Sequence, residues 1–300
     1  MAEFSVIIPS YKQAHLLPRA IESALQQGQD TGVDVEVIVV DDGSPDNSTE
    51  VASRYPGVIA IRQANAGVSA ARNRGILRST GRFLMFLDGD DFLRPGMFAA
   101  AARVFAQAPE VDVVHGFADV VEEDPDRVVG EFGGRDLTVD PFHSLLRGNA
   151  GPPVIFVMRR EVLARAGLFD ASLRSCEDWD FWLRIAASGA KFQLVPDMRS
   201  VYRVLPGSLS KNLEVMWQTG SEVLQRSVQL HSDCGACREA QRAGLRGFSL
   251  TLRPLLRDMV RAPGGASRAA GILLRNPRLL AWQLKWVFKR GLGHGWRIGK

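Results

Sequence analysis

The stretch FLMFLDGDDFL, residues 83–93, places three carboxylates directly behind five apolar residues. Burying a charge without a partner is costly, so the chain is expected to run through a core as a strand and to emerge at Asp88, Asp90 and Asp91. An acidic turn of this kind has two interpretations, a solvated surface turn or a metal site. The rest of the sequence has to distinguish between these two interpretations.

Strands and helices alternate along the first hundred residues. FSVIIPS, VDVEVIVVDDGS, VIAIRQ and RFLMFLDGDD are strand-like runs. Between them, LLPRAIESALQQ and AGVSAARNRGILRSTG have helical character. This order predicts an α/β fold with a mainly parallel, doubly wound sheet flanked by helices.

Acidic residues follow two of these strands. VEVIVV runs into Asp41 and Asp42, and FLMFL runs into the acids at 88–91. In open α/β sheets ligands bind beyond the carboxyl ends of the strands, so both clusters are expected at one edge. The sequence has no P-loop motif and no dinucleotide-binding glycine motif after its first strand. A nucleotide bound here would need a metal bridge for its phosphates, and oxygen ligands favour Mg²⁺ or Mn²⁺.

Length and composition limit the class of protein. The 300 residues are 46% apolar, which suffices for one large core, or for one core with a smaller appendage. No apolar run approaches the roughly 20 residues that span a bilayer. The N-terminus shows no signal peptide. We therefore expect a cytoplasmic protein.

Cysteine is too scarce for a disulfide framework, with three residues in the chain. His231, Cys234 and Cys237 have an H-x2-C-x2-C spacing that suits zinc. A tetrahedral site needs a fourth ligand, however, and no candidate lies nearby in the sequence. The role of these three residues is left open here.

Six segments resemble, in order and spacing, the motifs of the family 2 glycosyltransferases of the GT-A fold. They are SVIIPSYKQ, VIVVDDGSPDNS, NAGVSAARNRGI, FLDGDD, GLFDASLRSCEDWDFWLRIA and YRVLPGSLS. The resemblance covers about residues 4–210 and implies a GT-A (Rossmann-like) catalytic domain over 1–215. It also implies an inverting, metal-dependent hexosyltransferase that uses Mn²⁺ or Mg²⁺. The donor would be a nucleotide sugar, UDP-linked by preference, and the acceptor a glycan or lipid-linked precursor of a bacterial cell-surface polysaccharide.

The resemblance also implies roles for individual residues. The donor-binding residues it implies are Pro9, Tyr11, Asp41, Asp42, Asn73, Arg74 and Asp88. Asp88 and Asp90 match the family's D-x-D motif, with Asp90 as the direct metal ligand and Asp88 nearer the ribose or a metal-bound water. Asp178 would be the general base, a role typically worth about 10² to 10⁴ in rate. An acid in the first turn of a helix is also favoured by the helix dipole, so the segment around Asp178 alone does not settle its role.

One departure from the family pattern lies near the end of the resemblance. Leu205 stands where many relatives have a histidine that approaches the diphosphate or the metal. Leucine offers no ligand atom, and we expect Arg203, Ser208 and Ser210 to contact phosphate instead.

The last part of the chain has a different charge. Residues 241–300 contain 13 basic residues and one acidic residue, whereas the first 240 contain 24 and 32. We expect a basic, mainly helical C-terminal region over 216–300. Its segment 276–291, NPRLLAWQLKWVFKRG, has a basic stripe opposite an apolar arc, which suits either a helix on the inner face of the plasma membrane or one packed on the catalytic domain.

No motif supports a nucleic-acid partner. The remaining alternative to an enzyme is a non-catalytic nucleotide- or glycan-binding module that has kept the fold.

Overall fold

The computed structural model describes residues 2–205, 208–231 and 234–283. The chain divides into two compact units. The first, here called the sheet unit, comprises residues 1–145 and 149–206, and the second, the helical unit, comprises residues 146–148 and 207–300.

In the part of the chain that the structure describes, nine strands build the sheet unit. They are β1 (Phe4–Ser10), β2 (Val35–Asp41), β3 (Val58–Arg62), β4 (Phe83–Phe86), β5 (Phe92–Leu93), β6 (Val113–Val121), β7 (Val128–Gly133), β8 (Phe156–Arg159) and β9 (Phe192–Arg203). Their order is β3-β2-β1-β4-β8-β6-β9-β5, with β7 paired to β6. The first four strands are parallel, as predicted, while β5, β7 and β8 join the sheet in antiparallel pairs.

Helices connect and cover these strands. In chain order they are α1 (Leu17–Thr31), α2 (Ser48–Ser53), α3 (Val68–Arg78), α4 (Met97–Gln107), α5 (Pro141–Leu146), α6 (Leu163–Ala166) and α7 (Glu177–Ala187). The α/β class predicted from the alternating pattern is confirmed.

The centre of the sheet explains the continuous apolar runs in the sequence. All seven residues of β1 are buried, because β2 and β4 flank it and helices cover the sheet. In the parallel register Ser10 lies opposite Asp41, and Ile7 lies opposite Phe86. The carboxyl ends of the three strands, and with them the acids that follow β2 and β4, therefore meet at one edge.

Helix α3 approaches the sheet unusually closely at Gly75. A Cβ atom at this position would lie 2.3 Å from Cγ2 of Ile7 in β1. Glycine thus lets the α3 backbone rest on the central strand. The preceding turn of α3, which contains Arg72, is held close to the acidic edge as a result.

The helical unit contains α8 (Leu213–Val228), α9 (Gly235–Thr251), α10 (Arg253–Arg261) and α11 (Gly265–Arg275). Trp217 of α8 stacks on Phe248 of α9 with ring centroids 6.2 Å apart. The prediction of a mainly helical C-terminal region is confirmed. Half of the predicted amphipathic segment 276–291, from residue 284 on, lies outside the described residues. Among the helices that are described, none combines the length and the apolarity needed to cross a bilayer.

Candidate active site

The loop after β2 is organised by Asp41. One carboxylate oxygen accepts a hydrogen bond from the Ser44 backbone N–H at 2.8 Å, and the other accepts from the Thr49 hydroxyl. Arg62 of β3 lies 3.5 Å from the second oxygen. Asp41 is fully buried, so in the described residues its carboxylate holds the loop in shape. Donor binding by Asp41 stays a prediction.

Asp42 ties the same loop to the start of α3. Its carboxylate accepts hydrogen bonds at 2.8 Å from the Gln63 side chain and from the backbone N–H groups of Ala66 and Gly67. The two backbone donors precede α3, at the end of a helix that favours negative charge. Asp42 therefore fixes where α3 begins relative to β2, and its predicted contact with the nucleoside also stays a prediction.

The loop after β1 is pinned to the loop after β2. The Lys12 backbone N–H donates to the Ser44 hydroxyl at 3.0 Å, and the Ala14 N–H donates to the Asp46 carboxylate at 3.1 Å. Lys12 has a φ of 59°, a left-handed conformation that non-glycine residues rarely adopt. Pro9, of the predicted base pocket, is buried in β1, and Tyr11 keeps 43% of its surface exposed.

The three acids after β4 occupy very different surroundings. Asp88 is partly exposed, whereas Asp91 is buried and accepts a hydrogen bond from the Arg203 N–H at 2.8 Å. In the described part of the chain, the second carboxylate oxygen of Asp91 is buried without a hydrogen-bond partner. Burial, reinforced by the charge of Asp88, raises the pKa of Asp90 to about 6. Burial and the charges of Asp90 and Asp88 also raise the pKa of Asp91 well above its ordinary value.

These carboxylates fit a divalent cation. They are closely spaced hard oxygen ligands, and their raised pKa values and the unpartnered oxygen of Asp91 indicate negative charge that the protein does not fully compensate. Gly89 lies between them, and a Cβ atom there would lie 2.7 Å from Oε1 of Gln13. The contact shows that the loop after β1 lies close to the acidic turn, although the flexible Gln13 side chain could move to make room for a Cβ atom.

Arg72 links the acidic turn to α7. Its guanidinium donates to Asp88 and to Glu177, each at 2.7 Å, and its side chain is 2% exposed. Burial alone would lower the pKa of Arg72, but the charges of Asp88 and Glu177 outweigh burial and hold the pKa above its ordinary value. A buried cation thus joins two carboxylates from distant parts of the sequence.

Asp178 follows Glu177 in the first turn of α7 and is partly buried. Its two carboxylate oxygens accept hydrogen bonds from the Trp179 N–H at 2.7 Å and from the Asn149 side chain at 3.1 Å. Burial and the neighbouring charge of Glu177 raise the pKa of Asp178 to about 7, although Arg72 pulls the pKa in the other direction. The turn begins at Cys176, whose φ of 55° is again left-handed.

Asn73 and Arg74 were predicted from the sequence as donor-binding residues, whereas Arg72 was not predicted. The Asn73 amide forms two hydrogen bonds of 2.9 Å with the Phe169 backbone, and Arg74 is exposed. The helical spacing of α3 could have identified Arg72, because this residue lies on the same buried side as Ala71, Gly75 and Ile76. A charged residue within an apolar helix face requires a buried partner.

Two further residues near the acids were not predicted, Gln13 and Asn149. A hydrogen bond from the Gln13 side chain lowers the pKa of Asp90, against the larger effect of burial. Both residues lie in loops, where no periodic pattern distinguishes them. Of the predicted phosphate contacts, Arg203 donates to the backbone oxygen of Asp90 at 3.1 Å, while Ser208 and Ser210 belong to the helical unit.

Comparison with known protein families gives one match, over residues 5–165, to Glycosyl transferase family 2. Among curated relatives, the "uncharacterized glycosyltransferase EpsJ" of Bacillus subtilis is 31% identical over 78% of this chain and 72% of its own length. The succinoglycan biosynthesis protein ExoU of Rhizobium meliloti is 29% identical over 92% of this chain and 84% of its own.

Solved structures with a similar fold include two complexes with nucleotide sugars. TarS 1–349 of S. aureus, in complex with UDP-GlcNAc, aligns with a TM-score of 0.67 and 19% identity over 94% of this chain and 88% of that one. The mannosyltransferase PcManGT of Pyrobaculum calidifontis, in complex with GDP-Man and Mn²⁺, aligns with a TM-score of 0.61 and 18% identity over 96% and 88%. At these identities the likeness concerns the fold alone.

Proposed function

Because this chain belongs to the family 2 glycosyltransferases, we propose that it transfers a sugar, with inversion at the anomeric carbon, from a nucleoside-diphosphate sugar to an acceptor hydroxyl. The observation that carries the proposal is the connected series of charged groups from the acidic turn to α7. Asp90 adjoins Asp88, Arg72 bridges Asp88 to Glu177, and Glu177 adjoins Asp178. This series of contacts supports the proposal that both groups of acids belong to one site.

The donor in this proposal is a UDP-sugar, with a GDP-sugar as the alternative. The support is by analogy of fold, since TarS was solved with UDP-GlcNAc and PcManGT with GDP-Man. The name of ExoU supports an acceptor from polysaccharide biosynthesis, and we propose a glycan or a lipid-linked precursor of one.

Asp90 is the proposed ligand of a divalent cation, Mn²⁺ or Mg²⁺, with Asp88 beside it. When bound, such a cation stabilises the negative charge that develops on the departing diphosphate. The protein's own part is to pair Asp88 with Arg72 and to hold the acidic turn against Gln13 and Arg203.

Asp178 is the proposed general base. The Asn149 amide and the Trp179 N–H both donate to its carboxylate, so the side chain has a defined orientation before the acceptor arrives. A hydroxyl is a poor nucleophile, and an ionised Asp178 within hydrogen-bond reach would accept its proton as the new bond to carbon forms.

We expect a pH dependence that follows from the raised pKa of Asp178. The base must be ionised, so the turnover rate should rise with pH, with a midpoint at about pH 7, and level off above it. Initial rates at saturating donor between pH 5 and pH 9 would measure this rise of the turnover rate with pH. A rate that is already maximal at pH 5 would contradict the assignment of Asp178.

The first test of the proposed function requires no knowledge of the acceptor. Thermal unfolding would be followed with UDP, GDP or neither, each with Mn²⁺ and again with a chelator. A ligand at about 100 times its Kd stabilises by roughly 2.7 kcal/mol, which raises the Tm by several degrees. We expect a Mn²⁺-dependent shift with UDP in the wild type and its loss in Asp90→Ala.

The outcomes separate the alternatives. A shift with GDP alone would replace the UDP-sugar by a GDP-sugar. A UDP shift without transfer to any glycan acceptor and without slow hydrolysis of the donor would favour a non-catalytic binding module. Mn²⁺-dependent UDP binding that survives in Asp90→Ala would rule out Asp90 as the metal ligand.

A further inference from the structure

Asn149 contacts the proposed base from the loop that follows α5. Its side-chain amide N–H donates to Oδ2 of Asp178 at 3.1 Å, while Oδ1 of Asp178 accepts from the Trp179 backbone N–H at 2.7 Å. The amide oxygen of Asn149 accepts a hydrogen bond from the Gly151 backbone N–H at 3.5 Å, which leaves the NH₂ group to face Asp178. Each oxygen of the base thus has one donor from the protein, and its remaining lone pairs are open to an acceptor hydroxyl.

Trp179 also fixes the loop that carries Asn149. Its indole Nε1–H donates to the backbone oxygen of Leu145 at 2.8 Å, and its side chain is buried. A buried hydrogen bond of this kind is costly to break, because the carbonyl group would lose its partner without gaining a water molecule. The first turn of α7 therefore holds this loop at two positions, Leu145 and Asn149.

The surroundings of Asp178 make the ionisation of the base depend on its hydrogen-bond donors. Burial and the charge of Glu177 raise the pKa of Asp178, whereas the charge of Arg72 lowers it. The hydrogen bond from Asn149 also lowers this pKa, because a donor stabilises the ionised form. The thiol of Cys176, one turn residue away, stays neutral, since burial and the charge of Asp178 raise its pKa to about 12. Asn149 is exposed and uncharged, so its amide favours the carboxylate without adding a group that titrates.

Given the proposed function, on which this role depends, we propose that Asn149 is a positioning residue for Asp178 and that Trp179 holds the loop from which it acts. Asn149 fixes the rotation of the carboxylate and favours its ionised form, which is the form that accepts the proton of the acceptor hydroxyl. A side chain from outside α7 thereby sets the pH range in which the base works.

The test compares Asn149→Leu, which keeps the volume of the side chain but cannot donate, with Asn149→Asp, which places a second carboxylate beside the base. The pH midpoint of the turnover rate should rise by about 0.5 to 1 pH unit in Asn149→Leu, and further in Asn149→Asp. The KM for the donor should stay unchanged. Asn212→Leu is the matched control, because it removes the N-cap of α8 and should lower the Tm without moving the midpoint.

A double-mutant cycle tests the part of Trp179. Trp179→Phe keeps the backbone N–H but removes the indole donor, so it should raise the midpoint when Asn149 is present. In the Asn149→Leu background Trp179→Phe should cause no further rise. Shifts that add in the double variant would overturn the proposed action of Trp179 through Asn149.

A second measurement needs no acceptor, because it follows the base through the stability of the protein. The contribution of protonated Asp178 to the free energy of unfolding is lost as the pH rises through its pKa in the folded state. When this pKa is higher, the loss continues to higher pH. Between pH 5 and pH 9, Asn149→Leu should therefore lose more stability than the wild type, and this difference should vanish in an Asp178→Asn background. A difference that persists there would overturn the proposal.

Two outcomes separate the role of Asn149 from the proposed function. Turnover within a few-fold of the wild type in Asp178→Asn would exclude the base itself, and the role of Asn149 with it. Loss of turnover in Asp178→Asn, together with an unmoved midpoint in Asn149→Leu, would overturn the role of Asn149 alone.

Discussion

Asp178→Asn should transfer sugar at least about 100-fold more slowly than the wild type, with donor affinity unchanged. Asparagine keeps the shape of the side chain, but it cannot accept the proton of the acceptor hydroxyl. Single-turnover rates and UDP binding, measured on the same preparations, would separate the chemical step from binding. Turnover within a few-fold of the wild type would exclude Asp178 as the base.

Asp180→Asn is the matched control for this variant. Asp180 lies in the same turn of α7 but pairs with Arg184 at 2.8 Å, and it is buried on the other side of the helix from the proposed base. We expect a loss of stability without a loss of the chemical step. An equal loss of turnover in both variants would indicate a general disturbance of α7.

The same substitution of Asp178 should also change the pH dependence of stability. Folding raises the pKa of Asp178 to about 7. The contribution of Asp178 to the free energy of unfolding is therefore fully present at pH values below the pKa that this residue has in the unfolded chain. This contribution is lost as the pH rises through about 7. Asparagine never ionises, so between pH 5 and pH 8 the free energy of unfolding of the variant should rise relative to that of the wild type by on the order of 1 kcal/mol. Denaturant unfolding at both pH values would measure this difference.

Arg72→Met should lower the free energy of unfolding by about 3 kcal/mol or more at pH 8, the second large effect that we expect. The substitution keeps the volume but leaves Asp88 and Glu177 buried or half-buried without their shared cation. Because Arg72 lowers the pKa of Asp178, the acidic limb of the rate profile should also move to higher pH. A purely structural loss would not move that limb.

Two further variants sharpen the Arg72 experiment. Arg72→Lys carries the charge but lacks the forked guanidinium, so it can restore one ion pair at full strength and should be intermediate in stability. Arg74→Met changes an exposed arginine two residues away and should alter the free energy of unfolding by no more than about 0.5 kcal/mol. Equal stability of Arg72→Met and Arg74→Met would contradict the bridging role.

The sequence predicted the parts of the fold that have a local pattern. β1, β2 and β4 are continuous apolar runs because they are buried on both faces, and α3 has helical character and ends near a glycine. The strands after α4 were not predicted. β7 is exposed along nearly its whole length, and the pairing of β6 shifts register at Val120, so their places depend on long-range pairing that no short window contains.

The candidate site, like the fold, could be predicted only where the sequence has a local pattern. Acids at strand ends could be located from the sequence, because topology brings the ends of parallel strands together. The partners of those acids could not, since Arg72 and Asn149 acquire their roles only through contacts with Asp88, Glu177 and Asp178, distant in the sequence. Arg72 differs from Arg74 chiefly in the side of α3 on which it lies.

The hydrogen bonds from Lys12 and Ala14 to Ser44 and Asp46 have a consequence for protein engineering. These two hydrogen bonds join the loops to each other, so a foreign loop inserted at one position would lose both of them. If the two loops surround the base of the donor, nucleotide preference should be inherited as a pair of segments. Chimeras that exchange residues 11–16 together with residues 42–49 should therefore fold and change preference where either exchange alone fails.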